Sequence, residues 1–451
     1  MSRARAAIIL AAGQGTRMKS ELPKVLHEVG GRPMLDWAIA AAQSVGVGRI
    51  IIVTSPQNVA VTEHVAKALG PNATAIQDPP RGTAHAVRAA EAQMSDFDGD
   101  VIVLYGDTPF VSPERVEQIF ALRAQTGGIV ALAFEAANPT GYGRMILAND
   151  GSLERIVEQK DASEAERAVK LCNSGVICAD SKVLFQLLAQ VRDNNAKGEF
   201  YLTDVVALGR AAGFKTQIVT GTESDALGVN ARAELAAAEA IFQRRARLAA
   251  MEAGVTLIDP DTVYFSYDTE IGADTIIEPN VFFGGKVKIG KGAHVHAFCH
   301  LDQTEIGDGA AIGPFARFRP GSKLGRKTKI GNFVEVKNAT LADGAKASHL
   351  SYIGDIDVGP RTNIGAGTIV CNYDGFSKYR STIGADAFIG SNTALVSPVT
   401  IGDRAYTGTG SVITKDVPAG SLGVARARQI NLDGWADKNR EKKQKAKDEK
   451  K

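Results

Sequence analysis

Apolar and polar positions change rhythm near residue 230, and the two rhythms predict two kinds of domain. Before that point, short apolar runs alternate with amphipathic stretches: AAIILAAG, Leu35–Val45, RIIIVTS, Ala60–Leu69, DVIVLYGD and Glu114–Ala124. Strands apolar on both faces, separated by helical patterns, indicate a largely parallel sheet of the α/β type. Residues 231–252 contain no Gly or Pro and are rich in Ala, Leu, Glu and Arg, so one long helix is expected there as a rigid connector. From about residue 255 an aliphatic residue, often followed by Gly, recurs every six positions, as in Ile271, Ile277, Ile289, Val295, Leu301 and Ile306. After slippage the register returns at Ile383, Ile389, Leu395 and Ile401. Hexapeptide periodicity predicts a parallel β-helix, with three flat sides per coil, the aliphatic residue inward and Gly relieving the corner. The segment CNYDGFSKYRST breaks the rhythm before Ile383, so a loop protrudes there, and a solenoid with a loop on one coil has a place for binding.

Composition narrows this picture. A chain of 451 residues exceeds one hydrophobic core, and the domains expected are 1–230, a helical link over 231–252, and a solenoid over 253–437. The tail, Lys438–Lys451, is basic and almost devoid of apolar residues, and is expected to be disordered because burial cannot offset its ordering entropy. The 52 basic and 50 acidic side chains leave a net charge of +2, which gives no whole-protein footprint for nucleic acid. Four scattered cysteines, Cys172, Cys178, Cys299 and Cys371, form neither a disulfide framework nor a zinc pattern. No apolar run approaches the ~20 residues that cross a bilayer. The N-terminus lacks signal architecture, so a cytoplasmic protein with neither membrane nor nucleic-acid partners is expected.

The candidate chemistry lies in two places. In the first, Leu10-Ala11-Ala12-Gly13-Gln14-Gly15-Thr16-Arg17-Met18 couples a buried strand to a small-residue loop whose N–H groups can face phosphate oxygens. Arg17 and Lys24 add positive charge beside it, and Asp107 follows the strand VLYGD, where open parallel sheets bind ligands. In the second, polar residues interrupt the solenoid between 317 and 380, around Ser348-His349-Leu350-Ser351-Tyr352. His349, taken alone, reads as a solvated corner histidine; within that polar cluster it is the candidate base. His294, His296 and His300 fall on coils without such surroundings.

The first half, with LAAGxGTRM, Pro23-Lys24, Gln77, Gly82-Thr83-Ala84 and Tyr105-Gly106-Asp107, closely resembles the sugar-1-phosphate nucleotidyltransferases. Further motifs follow in order: GYGR from Gly141, IVEQKD from Ile156, NSG from Asn173, YLTD from Tyr201, and GVN from Gly228. Then come RFRPG, EVKN, SHLSYIGD, NIGAG and CNYDG. Over about residues 5 to 430 the chain resembles the bifunctional N-acetylglucosamine-1-phosphate uridylyltransferase/glucosamine-1-phosphate acetyltransferase family. The resemblance implies an α/β Rossmann-like nucleotidyltransferase domain, a long connector helix and a left-handed parallel β-helix assembled as a homotrimer. It implies acetyl-CoA and UTP as co-substrates and Mg²⁺ as cofactor. By it, Leu10, Ala11, Ala12, Gly13, Lys24, Tyr105, Gly106 and Asp107 hold the nucleotide, and Gln77, Gly82 and Thr83 read its base. Gly141, Glu158, Asn173 and Asn230 line the amino-sugar site, with Asp107 and Asn230 on the metal. His349 is implied as general base, and Arg319, Lys337, Tyr352 and Asn363 bind the sugar phosphate. Ala366, Asn372, Tyr373, Ser391, Thr409 and Arg426 lie on the acetyl-CoA side. Three positions depart from the family pattern: Gln14 where a charged side chain is common, Thr409 where alanine is usual, and Arg428 where proline is usual.

Overall fold

The computed structural model describes residues 3–449, and the chain divides after Ala246 into two compact units. The first is built on a nine-stranded sheet. Its strands are β1 (Ala4–Leu10), β2 (Arg49–Thr54), β3 (Thr74–Ile76), β4 (Gly99–Tyr105), β5 (Ile129–Glu135), β6 (Arg144–Leu147), β7 (Leu153–Val157), β8 (Leu171–Asp180) and β9 (Thr216–Gly221). The main path runs β9-β5-β8-β4-β1-β2-β3, with β6 and β7 branching from β8. Along that path neighbours pair in parallel except at β8, which is antiparallel to both β4 and β5. Ile8 and Leu10 enter one core layer and Ala7 and Ile9 the other, so β1 is apolar throughout because both of its faces are covered. Ile8, Ile9 and Leu10 each contribute about 1.5–3 kcal/mol on burial. Helices close the layers with ordinary stop signals. In Pro113–Thr126, Ser112 accepts from the Arg115 N–H at 3.3 Å, Pro opens the first turn, and Gly127 ends the helix at φ 66°.

The connector is one helix, Arg232–Glu252. It is not a free-standing spacer, because its first turns belong to the first unit. Ala238 and Phe242 are buried with Val29, Met34, Phe110 and Val229. The Phe242 ring lies 5.7 Å from that of Trp37, and Glu239 Oε2 accepts from Gly30 N–H at 2.7 Å.

The second unit is a parallel β-helix. One ladder pairs Ile277 with Val295, Val295 with Ile312, Ile312 with Ile330, Ile330 with Ala347, Ala347 with Ile364, and Ile364 with Ile389. The last step is longer because the 371–380 loop leaves the coil there. These inward residues are almost fully buried, and stacked identical positions form the core. Of the Ile-Gly glycines, Gly313 takes the left-handed backbone expected at a corner, at φ 87°, but others serve a different purpose. The corners carry left-handed backbone at non-glycine residues, including Phe298, Phe315, Phe333 and Leu350. Gly331 instead permits close coil stacking: a Cβ there would lie 1.9 Å from Ser348 O.

The tail also departs from expectation. Trp435–Asp448 forms an exposed helix with no buried residue. Its Lys, Glu, Gln and Ala side chains have high intrinsic helix propensity, a term that operates without burial.

Candidate functional sites

In the first unit the C-terminal end of β1 opens a cavity of about 570 Å³, lined by the 10–17 loop, Lys24, Gln77, Gly82, Thr83, Tyr105, Asp107 and Asn230. The loop is held at its base, where Ala11 N–H donates to Val53 O at 2.7 Å and Gly106 N–H to Leu10 O at 2.9 Å. On the opposite wall Gln77 Nε2 donates to Gly82 O at 3.0 Å and lies 3.3 Å from His85 Nδ1. Burial lowers the His85 pKa, which favours the neutral ring that can accept this bond. Gly82 has φ 108°, and a Cβ there would sit 2.5 Å from Phe200 O, so only glycine fits. Thr83 Oγ1 accepts from Leu202 N–H at 2.9 Å, tying this turn to the same segment.

Lys24 bridges the cavity floor. Its Nζ donates to Asp107 Oδ2 and, at 3.0 Å, to Asn230 Oδ1. Val229 N–H donates to Asp107 O at 2.9 Å, which brings the 228–230 turn to the end of β4. Two hard oxygen donors therefore converge on one cation, here the ammonium. Such a carboxylate–amide pair suits Mg²⁺, which takes few protein ligands plus substrate phosphates.

Glu158, Asn173 and Gly141 form a second group, outside the residues lining that cavity. Glu158 and Asn173 flank Gly143, whose carbonyl accepts from Asn173 N–H at 2.9 Å. Gly141 N–H donates to Gln159 Oε1 at 3.3 Å. Burial raises the Glu158 pKa, and Thr203 Oγ1 lies 3.4 Å from its Oε1. Tyr105 joins the two groups: it is hydrogen-bonded to Thr83, and the charges of Glu158 and Asp107, with burial foremost, raise its pKa.

The second unit gathers its polar residues around Asp355, a carboxylate 6 % exposed. Lys337 Nζ lies 3.2 Å from Asp355 Oδ2, Asn338 Nδ2 lies 2.6 Å from Oδ1, and Asn372 Nδ2 also donates to Oδ2. Burial pushes the Asp355 pKa up, but the hydrogen bonds from Asn338, Lys337 and Asn372 outweigh it and hold the carboxyl below its ordinary value. Tyr352 OH accepts from Asn372 Nδ2 at 3.4 Å. Lys378, on the protruding loop, has its pKa lowered by the adjacent Lys337. Arg319 Nη1 meets Glu335 Oε1 at 3.0 Å.

His349 is exposed on the neighbouring side, where its Nδ1 lies 2.7 Å from Asn332 Oδ1. With that oxygen as acceptor, Nδ1 carries the proton and Nε2 keeps its lone pair. Asn363 pairs in register with Lys346, beside the His349 strand. Ala366, Ser391 and Thr409 occupy successive coils: Ala366 O accepts from Asn392 N–H at 2.7 Å and Ser391 O from Gly410 N–H at 2.8 Å. Tyr373 OH donates to Gly375 O at 2.5 Å, within the loop. Arg426 follows the last paired strand and is exposed.

Sequence reasoning did not single out Asn332, Asp355, Lys378 or His85. Asp355 left a trace, as the acid that ends the SHLSYIGD motif, beside Gly354. Asn332 left none, because its role depends on the coil above it.

Comparisons with known proteins fit this division. The MobA-like NTP transferase domain model matches residues 7–174, and the bacterial transferase hexapeptide (six repeats) model matches 268–303 and 380–415. "Bifunctional protein GlmU" of Caulobacter vibrioides is 54% identical, covering 100% of this chain and 97% of that protein. The protein of the same name from Maricaulis maris is 54% identical over 97% of this chain and 96% of its own, and that of Cereibacter sphaeroides 52% over 95% and 94%. Among the described residues no helix is long and apolar enough to cross a membrane. The chain belongs to the GlmU family of bifunctional enzymes, which acetylate glucosamine-1-phosphate from acetyl-CoA and uridylylate N-acetylglucosamine-1-phosphate from UTP.

Proposed function

We propose that the two reactions use the two residue groups separately, with His349 as base in the solenoid and the Lys24–Asp107–Asn230 floor as the charge-neutralising site in the α/β unit. The observation that carries this reading is the His349 Nδ1–Asn332 Oδ1 contact at 2.7 Å, which leaves the lone pair of Nε2 free to take a proton. In acetyl transfer, Arg319, Lys337 and Lys378 bind the phosphate of glucosamine-1-phosphate by charge. Tyr352 and Asn363 orient the sugar. His349 Nε2 removes a proton from the amino group as the nitrogen attacks the thioester carbonyl, and CoA thiolate leaves. Asn372 and Tyr373 sit on the acetyl side, while Ala366, Ser391, Thr409 and Arg426 follow the CoA chain across successive coils.

In uridylyl transfer, Leu10, Ala11, Ala12 and Gly13 cradle the nucleotide, and Gln77, Gly82 and Thr83 read the uracil edge. Gly141, Glu158 and Asn173 hold the acetylated sugar, with Tyr105 and Gly106 between the two substrates. A phosphate oxygen of N-acetylglucosamine-1-phosphate attacks the α-phosphorus of UTP in line, and pyrophosphate departs. No protein nucleophile is needed, since positioning and charge neutralisation supply most of the rate. Asp107 and Asn230 would hold Mg²⁺, which when bound supplies charge to the phosphates. Lys24 then turns from these oxygens toward the triphosphate. The working assembly is a cytoplasmic homotrimer, the flat sides of the β-helix being suited to cyclic packing.

A coupled assay with Mg²⁺, UTP, acetyl-CoA and glucosamine-1-phosphate tests the division of labour. His349→Ala should lose thiol release by about 10²–10⁴-fold yet still uridylylate supplied N-acetylglucosamine-1-phosphate. Asp107→Ala should show the reverse defect. Loss of both activities in either variant contradicts the assignment.

A further inference from the structure

Outside the polar group around Asp355, the early coils of the second unit bring Glu278, His294 and His296 together. The two histidines flank Val295, which is fully buried, so the period of two along the strand turns both imidazoles to the outer face. Parallel pairing sets Ile277 beside Val295, and Glu278 N–H donates to Val295 O at 2.9 Å. The carboxylate therefore rises next to His296, one coil away. Its Oε1 lies 2.9 Å from His294 Nε2 and 2.8 Å from His296 Nδ1. Its Oε2 accepts from the Ala297 N–H at 2.9 Å, which fixes the carboxylate plane. One donor atom from each of the three residues lies within 4.8 Å of the others.

The geometry points to a site for a borderline first-row divalent cation, Zn²⁺ above all, ligated by His294 Nε2, His296 Nδ1 and Glu278 Oε1. A single carboxylate oxygen facing two imidazole nitrogens is a convergent donor set that one hydrogen-bonded His–Glu pair does not require. Ligands about 2.0–2.2 Å from a tetrahedral ion are roughly 3.3 Å apart. The 2.8–2.9 Å separations of Glu278 Oε1 from the two nitrogens need to open by only a few tenths of an ångström, and the nitrogens lie within 4.8 Å of each other. The backbone N–H on Oε2 is the kind of outer hydrogen bond that orients a ligating carboxylate. The side chains are 26–38 % exposed, so an ion can enter and water can complete the coordination. Two imidazoles select Zn²⁺ over Mg²⁺, so the cation suited to the Asp107–Asn230 oxygens does not compete here. Because the donors come from adjacent coils, the ion ties them together and stabilises the folded β-helix by mass action.

The test uses metal-free, full-length protein in an Asp107→Ala background, which removes a carboxylate from the other oxygen site. Calorimetric titration with Zn²⁺ should give one ion per chain, and Co²⁺ should give visible d–d absorption. Glu278→Gln and the double variant His294→Ala/His296→Ala should each weaken Zn²⁺ binding roughly tenfold or more and abolish the Co²⁺ band. Zn²⁺ should raise the unfolding temperature only in the unsubstituted site. Thiol release, which these residues do not serve, reports that each variant is folded; if the double variant fails it, His296→Gln makes the same comparison. Zn²⁺ binding that is undiminished in the variants, or absent with all three residues present, overturns the proposal.

Discussion

Asn332 Oδ1 lies 2.7 Å from His349 Nδ1, and the two residues are in register on adjacent coils. The amide thus sets which ring nitrogen carries the proton. Asn332→Ala should lower kcat for thiol release about tenfold with little change in the KM for glucosamine-1-phosphate. Uridylyl transfer from supplied N-acetylglucosamine-1-phosphate should be unaffected. A raised KM at constant kcat would instead mean that Asn332 serves binding.

Gly331 lies one residue before Asn332 and directly under Ser348 O, where a Cβ would approach to 1.9 Å. Gly331→Ala must push the coils apart, moving His349 away from Asn332. The expected result is a loss of acetyl transfer on the order of 100-fold, with uridylyl transfer intact. Activity assays on the same preparation check both halves.

Lys24 occupies the oxygens of Asp107 and Asn230 that the cation would use. Lys24→Met should therefore raise the affinity of nucleotide-free enzyme for Mn²⁺, used as a paramagnetic probe, while lowering uridylyl kcat roughly 100-fold. Unchanged Mn²⁺ affinity would show that the ammonium and the metal do not share those oxygens.

Burial raises the Glu158 pKa above its unfolded value. Its folded carboxyl holds the proton longer than the unfolded one, so its favourable contribution is fully present below the unfolded pKa and is lost as pH rises through the folded one. Glu158→Gln should remove this dependence, flattening the decline in the unfolding temperature of the first unit as pH rises through that window. The same variant should weaken use of N-acetylglucosamine-1-phosphate, which separates the stability effect from the binding one.

The two rhythms of the chain announced both architectures, because burial on both faces of a parallel strand and burial of every sixth residue each impose a local pattern. The nucleotide loop was legible for a similar reason: close backbone approach demands small residues in sequence. Other features follow from contacts between distant segments and leave little local trace. The antiparallel insertion of β8 between β4 and β5 could not be read from a run of apolar residues, since burial is the same in either direction. Phe242 showed only helix propensity in the sequence, while its packing against Trp37 anchors the connector to the first unit. The tail was judged by its lack of burial, yet its helix needs none.

Residue type and order alone therefore determined the hexapeptide coil, the phosphate-facing loop, and Asp107 and His349 as candidates. Only the tertiary structure decided that Lys24 meets Asp107 and Asn230, that Asp355 gathers Lys337, Asn338 and Asn372, and that Glu278 reaches two histidines one coil away. The physical reason is the range of the interactions. Periodic burial and backbone sterics act between near neighbours in the chain, whereas hydrogen bonds and ion pairs at these sites join residues from 16 to 206 positions apart.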